Sequence, residues 1–196
     1  MDDWTELDVV QPIWERFFQV SPLVVVGTRE GDGFDLAPKH MAFPMGWENW
    51  FGFVCTPRHG TYHNAVRAEA FTVSYPRPDQ LVLTSLTAHH RDESGAVPLL
   101  DSLPTEPASV VDGILLSNAY VHLECELDRV VDGFGPNSLV IGKIVAARVH
   151  RDALRTSDRG DTDRIHEAPL LAYLHPGRFA RISRSRAFPF PTDFSR

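Results

Sequence analysis

The sequence predicts a mainly β protein, with short antiparallel strands closed into a barrel and decorated by a few short helices. Three observations carry that reading. The apolar runs are strand-sized, from Leu23–Gly27 to Leu139–Ile141. Turn signals such as Gly31-Asp32-Gly33 and Gly135-Pro136-Asn137 punctuate them. No strand–helix–strand alternation runs along the chain, and no GxGxxG, P-loop or HExxH motif supports a dinucleotide fold, phosphotransfer or a zincin.

Taken in order, Pro12 in a first-turn position, with Ile13, Trp14, Phe17 and Phe18 at helical spacing, predicts a short amphipathic helix ending before Ser21-Pro22. The β-branched run Leu23–Gly27 predicts a strand, and Phe34–Phe43 the strand that returns from the glycine turn. Trp50–Cys55 is apolar enough to be buried on both faces. After a turn at Pro57–Gly60, Tyr62–Ala70 predicts a helix with Thr61 as its N-cap, and Phe71–Tyr75 a strand closed by Pro76 and Pro78. Gln80–Ala88 fits another helix. Residues 89–113, rich in Pro, Ser, Asp and Glu, form a connection long enough to suggest a covering or functional segment. Tyr120–Val131 and Ser138–His150 read as two long strands, Thr156–Glu167 as a charged loop and Leu170–Ile182 as a last strand. The expected organisation is one domain over residues 1–182 and a basic, aromatic tail at 183–196, placed to wrap on a partner subunit.

Composition narrows the function classes. Of 196 residues, 19 are Lys or Arg and 26 Asp or Glu, a net charge of −7, which speaks against a nucleic-acid-coating surface. The tail arginines 181, 184 and 186 read accordingly as solvated or partner-facing rather than RNA-binding. No apolar run approaches the roughly 20 residues of a membrane span, and the opening Met1-Asp2-Asp3 has the wrong sign for a signal peptide. Cys55 and Cys125 are read as buried free thiols in a reducing cytoplasm rather than a disulfide, and no metal site is expected. His89-His90, adjacent and so pointing apart on a helix, do not read as a chelating pair.

The most informative stretch is Phe34–Phe71. It sets Lys39 and His40 on one strand, then Arg58, His59, Gly60 and Thr61 in a turn opening a helix, with Asn64 one turn in. A helix N-terminus beside cations and a hydroxyl is a phosphate-type site, although each residue alone would read as an ordinary cap or a solvated turn charge.

This stretch resembles the flavin reductase-like branch of the FMN-binding split-barrel proteins. There, a strand N-L-A-P-x-S and a buried apolar strand precede a turn R-x-D-T-Y-x-N-I, a helix and a phenylalanine-led strand. Here the corresponding residues are Asp35-Leu36-Ala37-Pro38-Lys39-His40, Arg58-His59-Gly60-Thr61-Tyr62-His63-Asn64-Ala65 and Ala70-Phe71-Thr72-Val73. Leu123-Glu124-Cys125-Glu126-Leu127 resembles L-E-C-x-L, and Asn137–Ile144 resembles N-D-L-V-I-G-x-V. Pro169-Leu170-Leu171 with Gly177-Arg178-Phe179-Ala180 resembles the closing P-L-x-R-L-G-G-x-Y-A segment. The ordered set spans residues 12–182.

The resemblance implies a six-stranded antiparallel split barrel, a homodimer, and one FMN per subunit. Ala37, Pro38, Lys39, His40 and Met41 would back the isoalloxazine ring, with Cys55 and Thr56 at the strand end and Arg58, Thr61 and Asn64 around the phosphate, where Lys39 adds charge. The implied activity is NAD(P)H:flavin oxidoreduction with no obligatory acid–base side chain. Two departures stand out. Gly135-Pro136-Asn137 replaces the Gly-Asp-His associated with nicotinamide, and His175-Pro176-Gly177 replaces the closing Gly-Gly. His175 is thereby either a replacement donor near the flavin or a surface turn residue. Other readings are a flavin carrier or electron shuttle without turnover, and a split-barrel relative binding deazaflavin or haem. NADH and NADPH are not distinguished by any ribose-reading residue.

Overall fold

A computed structural model describes residues 3–88, 100–155 and 160–191. Twelve strands appear among them. They are β1 (Gln19–Pro22), β2 (Val24–Glu30), β3 (Gly33–Lys39), β4 (Ala42–Pro44), β5 (Trp50–Cys55), β6 (Ala70–Tyr75), β7 (Thr105–Pro107), β8 (Ile114–Leu116), β9 (Val121–Phe134), β10 (Asn137–Val149), β11 (Leu170–His175) and β12 (Arg178–Ile182). The helices are α1 (Gly60–Ala68), α2 (Leu81–Leu86) and α3 (Asp161–Glu167).

Seven strands form one antiparallel sheet in the order β3-β2-β6-β9-β10-β5-β4. Its two edges are neighbours in the chain, because only His40 and Met41 separate Lys39 of β3 from Ala42 of β4. Three Cα–Cα steps span at most about 11 Å, so the sheet must curl until its edges nearly meet. Counting β3 and β4 as one strand broken at this seam recovers the six-stranded split barrel expected from the sequence. Three register irregularities along β9–β10, between Asn137 and Leu139, Ile141 and Gly142, and Ile144 and Ala146, supply bending where the longest pair crosses the sheet.

The barrel interior is filled by Val24, Val26, Phe51, Phe53, Phe71, Val73, Cys125 and Val140, among others. Phe53 and Phe71 meet edge to face at 5.1 Å. Gly142 makes this packing possible, since a β-carbon there would lie 2.6 Å from the Phe71 ring and 2.8 Å from the Glu126 carbonyl. A second apolar cluster, Val25, Leu36, Leu103 and Leu116, covers the outer face with Leu83 and Leu86 of α2. The β7–β8 hairpin is fastened there by the Leu116 N–H, which donates to Ser74 Oγ at 3.0 Å.

Glu124, only 2% exposed, fastens the chain before that hairpin's second strand. Its carboxylate accepts from the Ser109 hydroxyl at 2.6 Å and from the N–H groups of Ser109, Val110 and Val111 at 2.6–3.1 Å. Burial alone would raise its pKa; the Ser109 hydroxyl and the three N–H groups outweigh burial and hold it below 4.5.

Several sequence expectations need correction. The expected helix after Pro12 is only a 3-10 turn at Trp14–Arg16, with Trp14, Phe17 and Phe18 exposed; the segment is too short to nucleate a helix and leads directly into β1. Phe34–Phe43 is two strands rather than one. Thr61 is not the N-cap: α1 begins two residues earlier than expected, at Gly60, with His59 as N-cap and no side-chain cap. The helix expected over Gln80–Ala88 is the shorter α2, preceded by a 3-10 turn at Pro78–Gln80. The charged loop Thr156–Glu167 ends in α3, whose first turn carries Asp161 and Asp163, favourable at a helix N-terminus. Leu170–Ile182 is a hairpin, because Pro176 has no N–H to donate and Gly177 takes a left-handed φ of +68°. His89-His90 and most of the start of the 89–113 connection lie outside the described residues.

Glu124→Gln removes the charge from a site built of four donors. The variant is expected to lose about 2–3 kcal/mol of stability at neutral pH. Because the folded-state pKa is depressed, the wild-type advantage is present above about pH 4.5 and shrinks as the pH falls below it. Urea unfolding of both proteins across pH 3–7 measures it; a gap that ignores pH would contradict the carboxylate clasp.

Candidate cofactor site

The barrel seam, the end of β5 and the start of α1 meet in space. Lys39, the last residue of β3, lies against the Cys55 thiol at the end of β5 and acts electrostatically on His40 and His59. Burial pushes the Cys55 pKa up, and Lys39 opposes that shift. Burial, reinforced by Lys39, pulls His59 down. The first turn of α1 receives no side-chain cap, so its N–H groups and the nearby cations form one electropositive corner. The Thr56 hydroxyl accepts from the Arg58 N–H at 3.4 Å, which shapes the turn that presents the exposed Arg58 side chain.

Thr61 and Asn64 are buried beneath the helix and already have partners. The Thr61 hydroxyl donates to the Asp35 carboxylate at 3.4 Å. The Asn64 amide donates to Glu30 Oε1 at 3.2 Å and to Thr28 Oγ1 at 3.5 Å. These three bonds pin α1 to the β2–β3 hairpin and fix the direction of its N-terminus. Arg58 and Thr56 also face the β9–β10 turn across a 360 Å³ cleft, whose far side includes Asn137 of Gly135-Pro136-Asn137.

On the other side of the seam, β1, β11 and β12 make a separate three-stranded sheet that pairs Gln19 with His175. It lays Tyr173 and His175 over the seam. The His40 ring stacks on Tyr173 at 4.4 Å and on His175 at 5.6 Å. His175 is therefore not an isolated turn histidine. Burial, then His175 and Lys39, hold His40 below its ordinary pKa of 6.5. His40, His175, exposed Met41, Ala42 and Val54 help line an open, largely apolar cavity of about 440 Å³. Ala37 and Pro38 precede this seam on β3, and Pro38 lines a smaller, 250 Å³ cavity with Tyr173 and Phe179.

Of the residues expected at a cofactor, two groups are thus distinguished: Lys39, Cys55, Thr56 and Arg58 with the α1 start, and His40 and Met41 with His175. Sequence reasoning missed Tyr173 and the β1 wall at Gln19–Pro22. Period-2 alternation along a strand would have placed Tyr173 and His175 on one face; nothing local to Gln19–Pro22 announces its pairing with residues about 150 positions away.

A curled antiparallel barrel with these features is a split-barrel fold of the flavin-protein type. The flavin reductase-like domain matches residues 19–183, and the chain belongs to that family. It is accordingly a flavin reductase-like oxidoreductase. Among solved structures, 2-nitrobenzoate 2-nitroreductase NbaA of Pseudomonas fluorescens superposes with a TM-score of 0.74 at 18% identity, covering 90% of this chain and 87% of that one. Flavoredoxin of Methanosarcina acetivorans gives 0.77 at 13% identity, with 97% of each chain covered. BorF, the flavin reductase component of a bacterial two-component tryptophan halogenase, gives 0.66 at 20% identity over 89% of this chain and 96% of that one. At these identities the likeness is one of fold. Among proteins with curated descriptions, none matches this sequence significantly.

The His40 environment sets a pH dependence. With its folded pKa lowered, His40 stays neutral while the unfolded chain takes up a proton below about 6.5, so stability falls as pH drops through that value. Replacing His40 by Asn is expected to flatten this part of the Tm–pH curve between about pH 7 and 5. Parallel curves for the two proteins would contradict a buried neutral imidazole.

Proposed function

We propose that this protein binds FMN and acts as an NAD(P)H:flavin oxidoreductase, with NADH or NADPH as hydride donor. The observation that carries the reading is the convergence, at the barrel seam, of an uncapped α1 N-terminus with Lys39 and Arg58 on one side and an open apolar cavity on the other. A phosphomonoester joined to a flat apolar ring needs that pair of environments within reach of one another.

Lys39 and Arg58 would supply charge to the phosphate beside the helix N–H groups. Thr61 and Asn64 would act through position, holding α1 so that those groups face outward. Ala37–Met41, Cys55 and Thr56 would back the ring. The flavin, when bound, supplies the hydride and electron chemistry that these side chains do not. The chain's own tasks are to bind, orient and exclude water.

A homodimer belongs to the same reading, since exposed Val20, Met41 and Phe43 around the cavity offer apolar surface for a second copy, and the 183–196 tail would wrap on it. Two buried free thiols, Cys55 and Cys125, fit a cytoplasmic location. No described helix is long and apolar enough to cross a membrane. The second reading, a flavin carrier or electron shuttle without nicotinamide turnover, is favoured by Gly135-Pro136-Asn137 at the position of Gly-Asp-His. Consumption of NADH and NADPH with excess free flavin separates the two.

Arg58→Ala is expected to weaken FMN binding about tenfold, through loss of one charge-assisted contact. Titration of the flavin absorbance band in wild type and variant checks it, and equal affinities would remove Arg58 from the phosphate site. Bleaching of the bound flavin by either nucleotide under anaerobic conditions then identifies the donor, whereas binding with no bleaching would favour the carrier.

A further inference from the structure

The stacked histidines at the seam pose a hydrogen-bonding problem that the fold does not solve internally. His40 Nε2 and His175 Nδ1 are both shut away from solvent without a partner. Each neutral imidazole carries one N–H and one lone pair. Burying an unpaired N–H is worse tolerated than burying an unpaired acceptor, so each proton belongs on the opposite, open nitrogen. That assigns Nδ1–H to His40 and Nε2–H to His175. No described residue accepts from either.

Both rings lie nearly parallel, 24° apart at 5.6 Å, and both line the 440 Å³ cavity. The rest of its lining includes Trp14, Val20, Phe43 and Val54, and no carboxylate, lysine or arginine contributes. A charged ligand would find no counter-ion there. An apolar slot with a pair of adjacent N–H donors suits a flat, uncharged ring that carries carbonyl oxygens along one edge.

We infer that His40 and His175 form a paired donor site that grips the carbonyl edge of a planar, uncharged ring system in this cavity. The inference rests on the flavin reading and deepens it: the ring is either that of the flavin itself or that of a quinone-type electron acceptor. Two donors on stacked, sterically fixed rings also set which edge of the ligand enters the cavity, so the pair acts on orientation and specificity.

Lumiflavin and 9,10-phenanthrenequinone, whose carbonyl oxygens share one edge, are the probes. Lumiflavin carries the flavin ring without the phosphate, so its binding is independent of the Arg58 phosphate contact. Isotope-labelled wild-type protein is expected to show, by ¹⁵N NMR of the imidazoles, the Nδ1–H form at His40 and the Nε2–H form at His175. One probe is expected to shift both signals. His175→Phe, which keeps a stacking ring but loses the donor, is expected to weaken that probe two- to tenfold. Val20→Trp, at an exposed rim position, is expected to block it.

Lumiflavin binding to the free protein with those effects supports the pair and identifies the flavin ring as its ligand. Phenanthrenequinone binding to the FMN-loaded protein with the same effects supports the pair and identifies an ortho-quinone acceptor. If neither ring binds, or if His175→Phe and Val20→Trp bind them as wild type does, or if the protons lie on the enclosed nitrogens, the inference is overturned. FMN binding alongside failure of both rings would leave the flavin reading intact and remove only the pair. Lumiflavin binding as tight as FMN would keep the pair and remove the phosphate corner.

Discussion

A chain that leaves one edge of a sheet and, two residues later, begins the opposite edge has no choice but to bring those edges together. The His40–Met41 step imposes that closure, and most of the molecule follows from it. Curling the seven-stranded sheet encloses the phenylalanine-rich interior, which demands close approach at Gly142 and register breaks along β9–β10. The same closure leaves a gap between β3 and β4 that cannot be filled by strand pairing. The residues of the candidate site gather at that gap: Lys39 on its near side, Cys55 behind it, and the stacked ring of His40 within it.

Buried polar side chains tie the elements of this fold together, and the seam encloses two imidazole nitrogens that have no partner. Asn64 and Thr61 tie α1 to the β2–β3 hairpin, and Glu124 gathers four donors. His40 and His175 stand apart, each with an enclosed, unpartnered nitrogen. Unmet hydrogen-bonding capacity costs stability in a folded chain. At the seam it stands beside an open cavity rather than inside the core.

Much of the barrel was legible in the sequence. Alternation in Leu123–Leu127, the glycine turn at Gly31–Gly33 and the buried run Trp50–Cys55 each state their structure locally. Lys39, Arg58, Thr61 and Asn64 read as an anion site only when taken together, as cations and a hydroxyl beside a helix start, and the family-like spacing of Phe34–Phe71 reinforced that reading. The failures have two causes, segment length and distant pairing. The aromatic face of Trp14, Phe17 and Phe18 has helical spacing but too few residues to pay for a helix. The strand break at His40–Met41 and the docking of β1 on β11 are decided by distant pairing, which local pattern does not encode. Thr61 looked like a cap because its partner, Asp35, lies 26 positions earlier in the chain.

The pairing of β1 with β11 also has a temporal meaning. During synthesis, the chain emerges N-terminus first and domains assemble as their parts become available. Every strand of the seven-stranded sheet has been made once Val149 is complete, so the barrel can close while the last segment is still being translated. Tyr173 and His175 arrive only later, together with the strand that gives Gln19–Pro22 its partner. The barrel is therefore a scaffold that can precede the wall over its own seam, and a nascent chain stopped before residue 170 would carry the seam but not the rings that cover it.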